Sequence, residues 1–238
     1  MSNTTSPKVM LKLSGEVLAG EKGFGLNPEV LNSTALQLVN AQKDGARAAV
    51  VLGGGNIFRG LGDAAAKMDR VTADEMGMLA TVINGLALKD AIISQGGRAA
   101  LFTARPLGPV GKPYVRDDVQ EKLDAGYIVI LSGGTGNPFF STDSGAALRA
   151  AELSCDLYLK GTKVDGVYDS DPAKNSAAKR YDKISYDDMI EQKLTVMDLT
   201  ASTLLRENRV TALVYKMTEP DSIYNAALGK PYGTLIIP

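Results

Sequence analysis

Short runs that are apolar on successive residues, rather than on alternate ones, recur along this chain: Val9–Leu13, Ala48–Leu52, Ala99–Thr103, Tyr127–Leu131, Asp156–Lys160, Thr211–Tyr215 and Thr234–Ile237. A strand with one wet face alternates. A strand apolar throughout must be covered on both faces, and parallel strands joined by helical crossovers receive that cover. The segments between the runs carry helical patterns, so the expected architecture is a three-layer α/β/α sandwich around an open, mainly parallel sheet. A length of 238 residues suits a single domain spanning 1–238, with the polar residues 1–7 as a flexible N-terminus.

Boundary signals support the alternation. Asn27-Pro28-Glu29 supplies a cap, a proline suited to the first helical position and a first-turn acid, and Gly45 closes that helix. "TADE" (Thr72–Glu75) reads as a capping box opening a long helix that Gly96-Gly97 ends, which puts Asp74 in the first turn. Ser185 and Asp188 begin another helix. The stretch from Gly161 to Lys183 has turn residues and charge, and is expected to form a surface loop or hairpin.

Composition removes whole classes of chemistry. There is no histidine, so Ser-His-Asp triads, Cys-His pairs and histidine metal ligands are excluded. The single cysteine, Cys155, allows neither an internal disulfide nor a cysteine zinc cluster, and suits a reducing compartment. A net charge of −1 leaves no footprint for non-specific nucleic-acid binding. The first ten residues carry no apolar signal-type stretch, and the uncharged helical segment Met76–Leu88 is shorter than the roughly 20 residues of a bilayer span. No membrane role and a cytoplasmic location are therefore expected.

Ligands of open α/β sheets bind at the carboxyl ends of strands. Four loops there are unusual: "KLSGE" (Lys12–Glu16), "GGGNIFRG" (Gly53–Gly60), "SGGTGNPFFSTDSG" (Ser132–Gly145) and "KGTKVDGVYDSDP" (Lys160–Pro172). Glycine-rich turns that enter helix N-termini cluster N–H donors and suit phosphate. Two such cradles with Lys12 and Arg59 on one sheet edge point to two phosphorylated ligands facing each other. No G-x-x-x-x-G-K-[ST] occurs, and the dinucleotide-like "GLGDAA" (60–65) starts too far beyond its strand to serve as a strand-to-helix turn.

Together with "DEMGMLATVINGLAL" and "VMDLTA", these loops make the chain similar, from about Lys8 to Ile237, to the bacterial uridylate kinases (UMP kinases) of the amino acid kinase superfamily. The match is loose over 106–126, and Asp169-Ser170 stands where the pattern varies. The resemblance implies transfer of the ATP γ-phosphate to UMP with Mg²⁺. It places ATP on Lys12, Leu13, Ser14, Gly15, Gly55, Arg59, Thr162, Tyr168 and Asp171. It places UMP on Gly54, Asp74 and the run Thr135, Gly136, Asn137, Pro138, Phe139, Phe140, Ser141 and Thr142. Lys12, Arg59, Asp143 and Asp198 fall around the reacting phosphates, with no metal cage implied. Gly20, Glu21, Lys22, Gly23, Phe24 and Gly25 match a segment tied to activation by GTP, and a homohexamer inhibited by UTP is implied.

The chemistry suits a chain without histidine. A UMP phosphate oxygen is already anionic, so transfer needs alignment and charge stabilisation rather than a general base. Asp143 and Asp198 would repel phosphate, which leaves them to hold Lys12 or to orient Mg²⁺ through water. Met76, Met78, Leu79, Val82 and Ile83 fit a core or subunit face better than a base-binding stripe. Two rivals stand beside this reading: another amino acid kinase with a carboxylate acceptor, and a non-catalytic nucleotide- or molybdate-storage relative.

Overall fold

The computed structural model describes residues 6–58, 67–230 and 233–238. Within them the apolar runs become strands: β1 (Lys8–Leu13), β2 (Arg47–Leu52), β3 (Ala99–Thr103), β5 (Ile128–Ser132), β6 (Leu157–Thr162), β8 (Thr211–Lys216) and β9 (Thr234–Ile237). Two short strands have no apolar run behind them, β4 (Lys112–Pro113) and β7 (Lys183–Ser185). They lie at the two edges of one sheet ordered β4-β3-β5-β2-β1-β6-β8-β9-β7. Every pair is parallel except β8 with β9, so β9 and its parallel neighbour β7 run against the rest.

Because successive strand residues point to opposite faces, each strand feeds two cores. Val9, Leu11 and Leu13 join Val50, Leu52, Ile130 and Leu159 on the face covered by α2 (Pro28–Lys43), α3 (Arg70–Ser94) and α8 (Ser222–Ala227). Met10 joins Ala49, Val51, Val129 and Tyr158 on the face covered by α4 (Arg116–Asp124), α5 (Thr142–Glu152), α6 (Tyr186–Glu191) and α7 (Leu199–Glu207). The three-layer sandwich follows. A four-residue helix α1 (Gly15–Leu18) and a 3₁₀ turn (Gly20–Lys22) link β1 to α2.

Two of the expected helix starts form as read and a third begins elsewhere. Asn27 Oδ1 accepts from the amides of Glu29 (2.9 Å) and Val30 (3.2 Å), with Pro28 at the first helical position. Ser185 accepts from the Asp188 amide at 3.0 Å. The long helix α3 does not open at "TADE". Its cap is Asp69, which accepts from the Thr72 amide at 3.1 Å, so Asp74 lies beyond the first turn. By length and composition α3 could cross a membrane; here Leu88, Ala91 and Ile92 pack into the first core and Ala80 and Val82 are buried, while Leu79 and Ile83 are exposed. Of the N-terminus expected to be flexible, residues 1–5 lie outside the described residues, and Pro7 packs so closely on Gly229 that a Cβ there would come within 2.4 Å of its ring.

Removing the best-formed cap isolates a local contribution. Asn27→Ala should cost about 1 kcal/mol, read in a thermal melt as a Tm lower by about 2–4 °C.

Candidate active site

Parallel register puts Lys12 of β1 directly opposite Lys160 of β6. Both sit on the even-numbered face, toward α5. Like charges opposite one another across strands repel, and the first turn of α5 answers with Asp143. Its Oδ1 meets Lys12 Nζ at 2.9 Å, and its Oδ2 is bonded to Lys160 Nζ. Tyr158, two residues before Lys160 on the same face and fully buried, donates its hydroxyl to Asp143 Oδ1 at 3.4 Å. Burial alone would raise the Asp143 carboxyl, but the two ammonium groups outweigh it and hold the group below the usual carboxylate range. Burial, and then the charge of Lys12, press the Lys160 ammonium below its ordinary value against the pull of Asp143. Burial, and then the charge of Asp143, push the Tyr158 phenol well up, so it stays a neutral donor.

Asp198 takes a different place from Asp143. It caps α7, accepting from the Ala201 amide at 2.9 Å. It also accepts from Ser144 Oγ at 2.8 Å and from Ser141 Oγ. Ser141 is itself the cap of α5. Asp198 thus ties the start of α7 to the start of α5, and none of its hydrogen bonds goes to Lys12. Of the two roles left open by the sequence, holding Lys12 belongs to Asp143.

The glycine loops lie against one another. Gly53 N–H donates to Leu13 C=O at 3.0 Å, and a Cβ on Gly15 would stand 2.2 Å from Gly53 O. A Cβ on Gly54 would stand 2.9 Å from both Ala80 Cβ and Gly77 O of α3. Before any ligand is considered, these glycines bring β1, β2 and α3 within backbone contact. Gly133, Gly134 and Gly136 adopt left-handed φ values of 85°, 57° and 81°, which curl the loop after β5 over the N-terminus of α5.

The expected ligand residues line two clefts, the first of them at that N-terminus. One is walled by Gly54, Gly55, Asp74, Thr135, Asn137, Phe140, Ser141 and Thr142, which brings the expected UMP residues together with Gly55. Gly136, Pro138 and Phe139 belong to the same loop but not to its wall. The Phe139 amide donates to Asp74 Oδ2 at 2.7 Å, Arg70 Nε meets the same oxygen at 2.8 Å, and Arg70 lies over the Phe139 ring. Phe58, Ala73, Gly77, Met78, Thr81 and Gly134 complete the wall. Met78 therefore faces the cleft, where the sequence had placed it in a core or subunit stripe; Val82 is core, and Met76, Leu79 and Ile83 are exposed.

The second cleft lies between Val164–Pro172 and the segment Gln192–Val196, with Tyr168 and Asp171 on its wall. Tyr168 donates to Asp165 at 2.6 Å, and an antiparallel bridge to Arg180 makes the expected hairpin. Thr162 ends β6, two residues before this wall, and Leu13, Ser14 and Gly15 lead from β1 into α1. Sequence reading missed Gln192–Val196, which carry no phosphate-like signal, and Lys160. The latter had a signal: a lysine inside a strand expected to be covered on both faces. Arg59 lies outside the described residues. Among those described, no three His, Cys, Asp or Glu residues are grouped to hold a metal, and Asp143 and Asp198 are both engaged.

The amino acid kinase family model matches residues 7–216. The chain belongs to the amino acid kinase family. Within that family it is 48% identical over 236 residues to a uridylate kinase of Xanthomonas campestris pv. campestris, a match covering 99% of this chain and 98% of that protein. The UMP kinase of Bacillus anthracis superposes with a TM-score of 0.92 at 38% identity, covering 98% of this chain and 96% of that one. The UMP kinase of Ureaplasma parvum superposes with a TM-score of 0.91 at 35% identity, covering 98% and 99%. The family's sandwich is thus the observed fold.

The Lys12–Asp143–Lys160 group predicts a stability signature. Asp143→Asn leaves two ammonium groups without their counter-charge, a loss of about 3–5 kcal/mol at pH 7. The folded-state value of Asp143 lies below its unfolded value, so its stabilisation is complete above about pH 4 and fades as pH falls further. Melts at a series of pH values should show the gap between wild type and variant narrowing below about pH 4.

Proposed function

We infer that this chain is an ATP-dependent UMP kinase: a UMP phosphate oxygen attacks the γ-phosphorus of ATP, the bond to the β-phosphate oxygen breaks, and UDP and ADP leave. The observation that carries the reading is the buried Lys12–Asp143–Lys160 group at the N-terminus of α5, next to the cleft walled by Ser141 and Thr142. We assign UMP to the cleft holding Asp74 and the Thr135–Thr142 loop, and ATP to the cleft holding Tyr168 and Asp171. The transferred group would then pass over Lys12, whose compact charge follows it while Asp143 keeps the side chain in place. The positive end of α5 adds to that field. Arg59 is proposed as a second, forked cation on the phosphates.

Both aspartates nearest the reaction are taken up by protein contacts, so these residues fit no protein-held Mg²⁺ cage. We propose that Mg²⁺ arrives on the phosphates of ATP, as this ion commonly does. From the resemblance we also propose a homohexamer activated by GTP through Gly20–Gly25 and inhibited by UTP, in a cytoplasmic, single-domain enzyme of pyrimidine nucleotide synthesis. Support for assembly comes from the exposed apolar side chains Met76, Leu79, Ile83, Leu86 and Ile93 along one side of α3. Gly20–Lys22 form the 3₁₀ turn, Gly23 and Gly25 are left-handed, and Phe24 is exposed.

The test is ADP release with UMP, CMP, AMP, GMP, acetylglutamate and carbamate side by side. UMP should be preferred, and equal or better turnover of a carboxylate acceptor would overturn the reading. The acceptor cleft has its own test in Asp74→Asn. If Asp74 accepts from the ribose hydroxyls, losing its charge costs about 1.5–3 kcal/mol, seen as a KM for UMP raised about 10-fold or more with the KM for ATP unchanged. A lower Tm with both KM values intact would return Asp74 to a purely structural role.

A further inference from the structure

Asn84 is an amide placed on the sheet-facing side of an otherwise apolar stretch of α3, and it is fully buried. Its Nδ2 donates to Gly53 C=O at 2.6 Å and to Asn56 Oδ1 at 2.7 Å. Its Oδ1 accepts from Asn56 Nδ2 at 3.0 Å. Asn56, itself buried, spends its other Nδ2 hydrogen on Gly25 C=O at 2.7 Å, and its backbone carbonyl accepts from Gly25 N–H at the same distance. The two amides form a closed, reciprocal pair with both Nδ2 groups fully used. Only one orientation of Asn84 works, since the reverse would set its oxygen against the oxygen of Gly53.

The bond to Gly53 has a geometric result. The Gly53–Gly54 peptide is trans, so the carbonyl of Gly53 and the N–H of Gly54 point in opposite directions. With the carbonyl held by Asn84, the Gly54 N–H points away from that amide, and Gly54 itself lines the first cleft. The N–H of Gly53 is already committed to Leu13. A glycine-rich loop has little conformational preference of its own, so without an inward anchor this peptide could rotate at small cost.

We propose that Asn84, braced by Asn56, is a positioning residue for phosphoryl transfer: it sets the Gly53–Gly54 peptide so that an N–H faces the reacting phosphates. The proposal rests on the kinase reading above. Asn84 touches no nucleotide in this scheme and acts only through the peptide it holds. Buried amide pairs of this kind are favourable when every member is satisfied and costly when one is removed, which suits a part that must not move during turnover.

The test compares Asn84→Leu, close in size but without hydrogen bonds, with Tyr186→Phe. Tyr186 is fully buried, donates to Val210 C=O at 3.0 Å and lines neither cleft, so its variant reports loss of a buried hydrogen bond without a change in a cleft wall. Turnover of UMP by the wild-type chain is measured first, which tests the underlying kinase reading separately. Asn84→Leu should lower kcat by about 10²-fold, the scale of a small misplacement of a reacting group, with the KM for ATP within about threefold and the KM for UMP raised less than about tenfold, because Gly54 is one of many residues walling the UMP cleft. Tyr186→Phe should lower Tm and leave kcat unchanged. If Asn84→Leu does not fold, Asn84→Ser leaves room for water but cannot span to Gly53, and the same fall in kcat is expected. A folded Asn84 variant with kcat within about twofold of wild type, or one that loses no more kcat than Tyr186→Phe at equal loss of Tm, overturns the proposal.

Discussion

Two lysines forced into register on neighbouring strands would push β1 and β6 apart. Asp143 resolves that conflict, and much of the site's geometry follows from how it does so. The carboxylate must reach between Lys12 and Lys160, so the first turn of α5 has to stand over the carboxyl ends of both strands. Ser141 then has to cap that turn, and Asp198 has to hold Ser141 and Ser144, which draws α7 in beside α5. A buried pair of this kind is poor value as stability alone, because desolvation offsets most of the attraction. Its worth lies in keeping charge fixed where a phosphoryl group passes, with nothing left to reorganise.

The glycines answer a second constraint, which is closeness. Gly15, Gly53 and Gly54 let two loops and one helix meet at distances that a single Cβ would forbid. Such contact gives up side-chain packing and leaves the backbone without its own stiffness. The stiffness is returned from outside, by Asn84 and Asn56 on one side and by the β1–β2 ladder on the other. Flexible residues held by rigid neighbours present amides in one direction without the bulk of side chains.

Most of the sandwich was legible because unbroken apolar runs have few alternative homes. β4 and β7 were not, since strands of two and three residues at a sheet edge need no apolar pattern. "TADE" misled because a capping box and the second turn of an acidic helix start look alike, and Asp69 supplied the cap instead. Lys12, Asp143 and the loop residues could be gathered because glycine, charge and strand ends coincide there. Lys160, Gln192–Val196 and Asn84 act through register and packing, which a linear pattern does not display.

The edge strand β7 has a single strand neighbour, β9, although β9 follows it by about fifty residues in the chain. Thr234, the first residue of β9, also accepts from the Val167 amide at 2.9 Å and donates to Tyr181 C=O, holding both arms of the hairpin beside the Tyr168 cleft. The chain therefore cannot assemble in the order in which it is written. β7 and the hairpin must wait, loosely placed, until β9 has slotted in against β8, and such long-range pairing is slow to form. In kinetic terms the Tyr168 rim cannot mature before β9 has docked, however early the rest of the sheet closes. Pulse-labelled amide exchange during refolding would show this as protection of Val167 arising together with that of Leu235 and not before it.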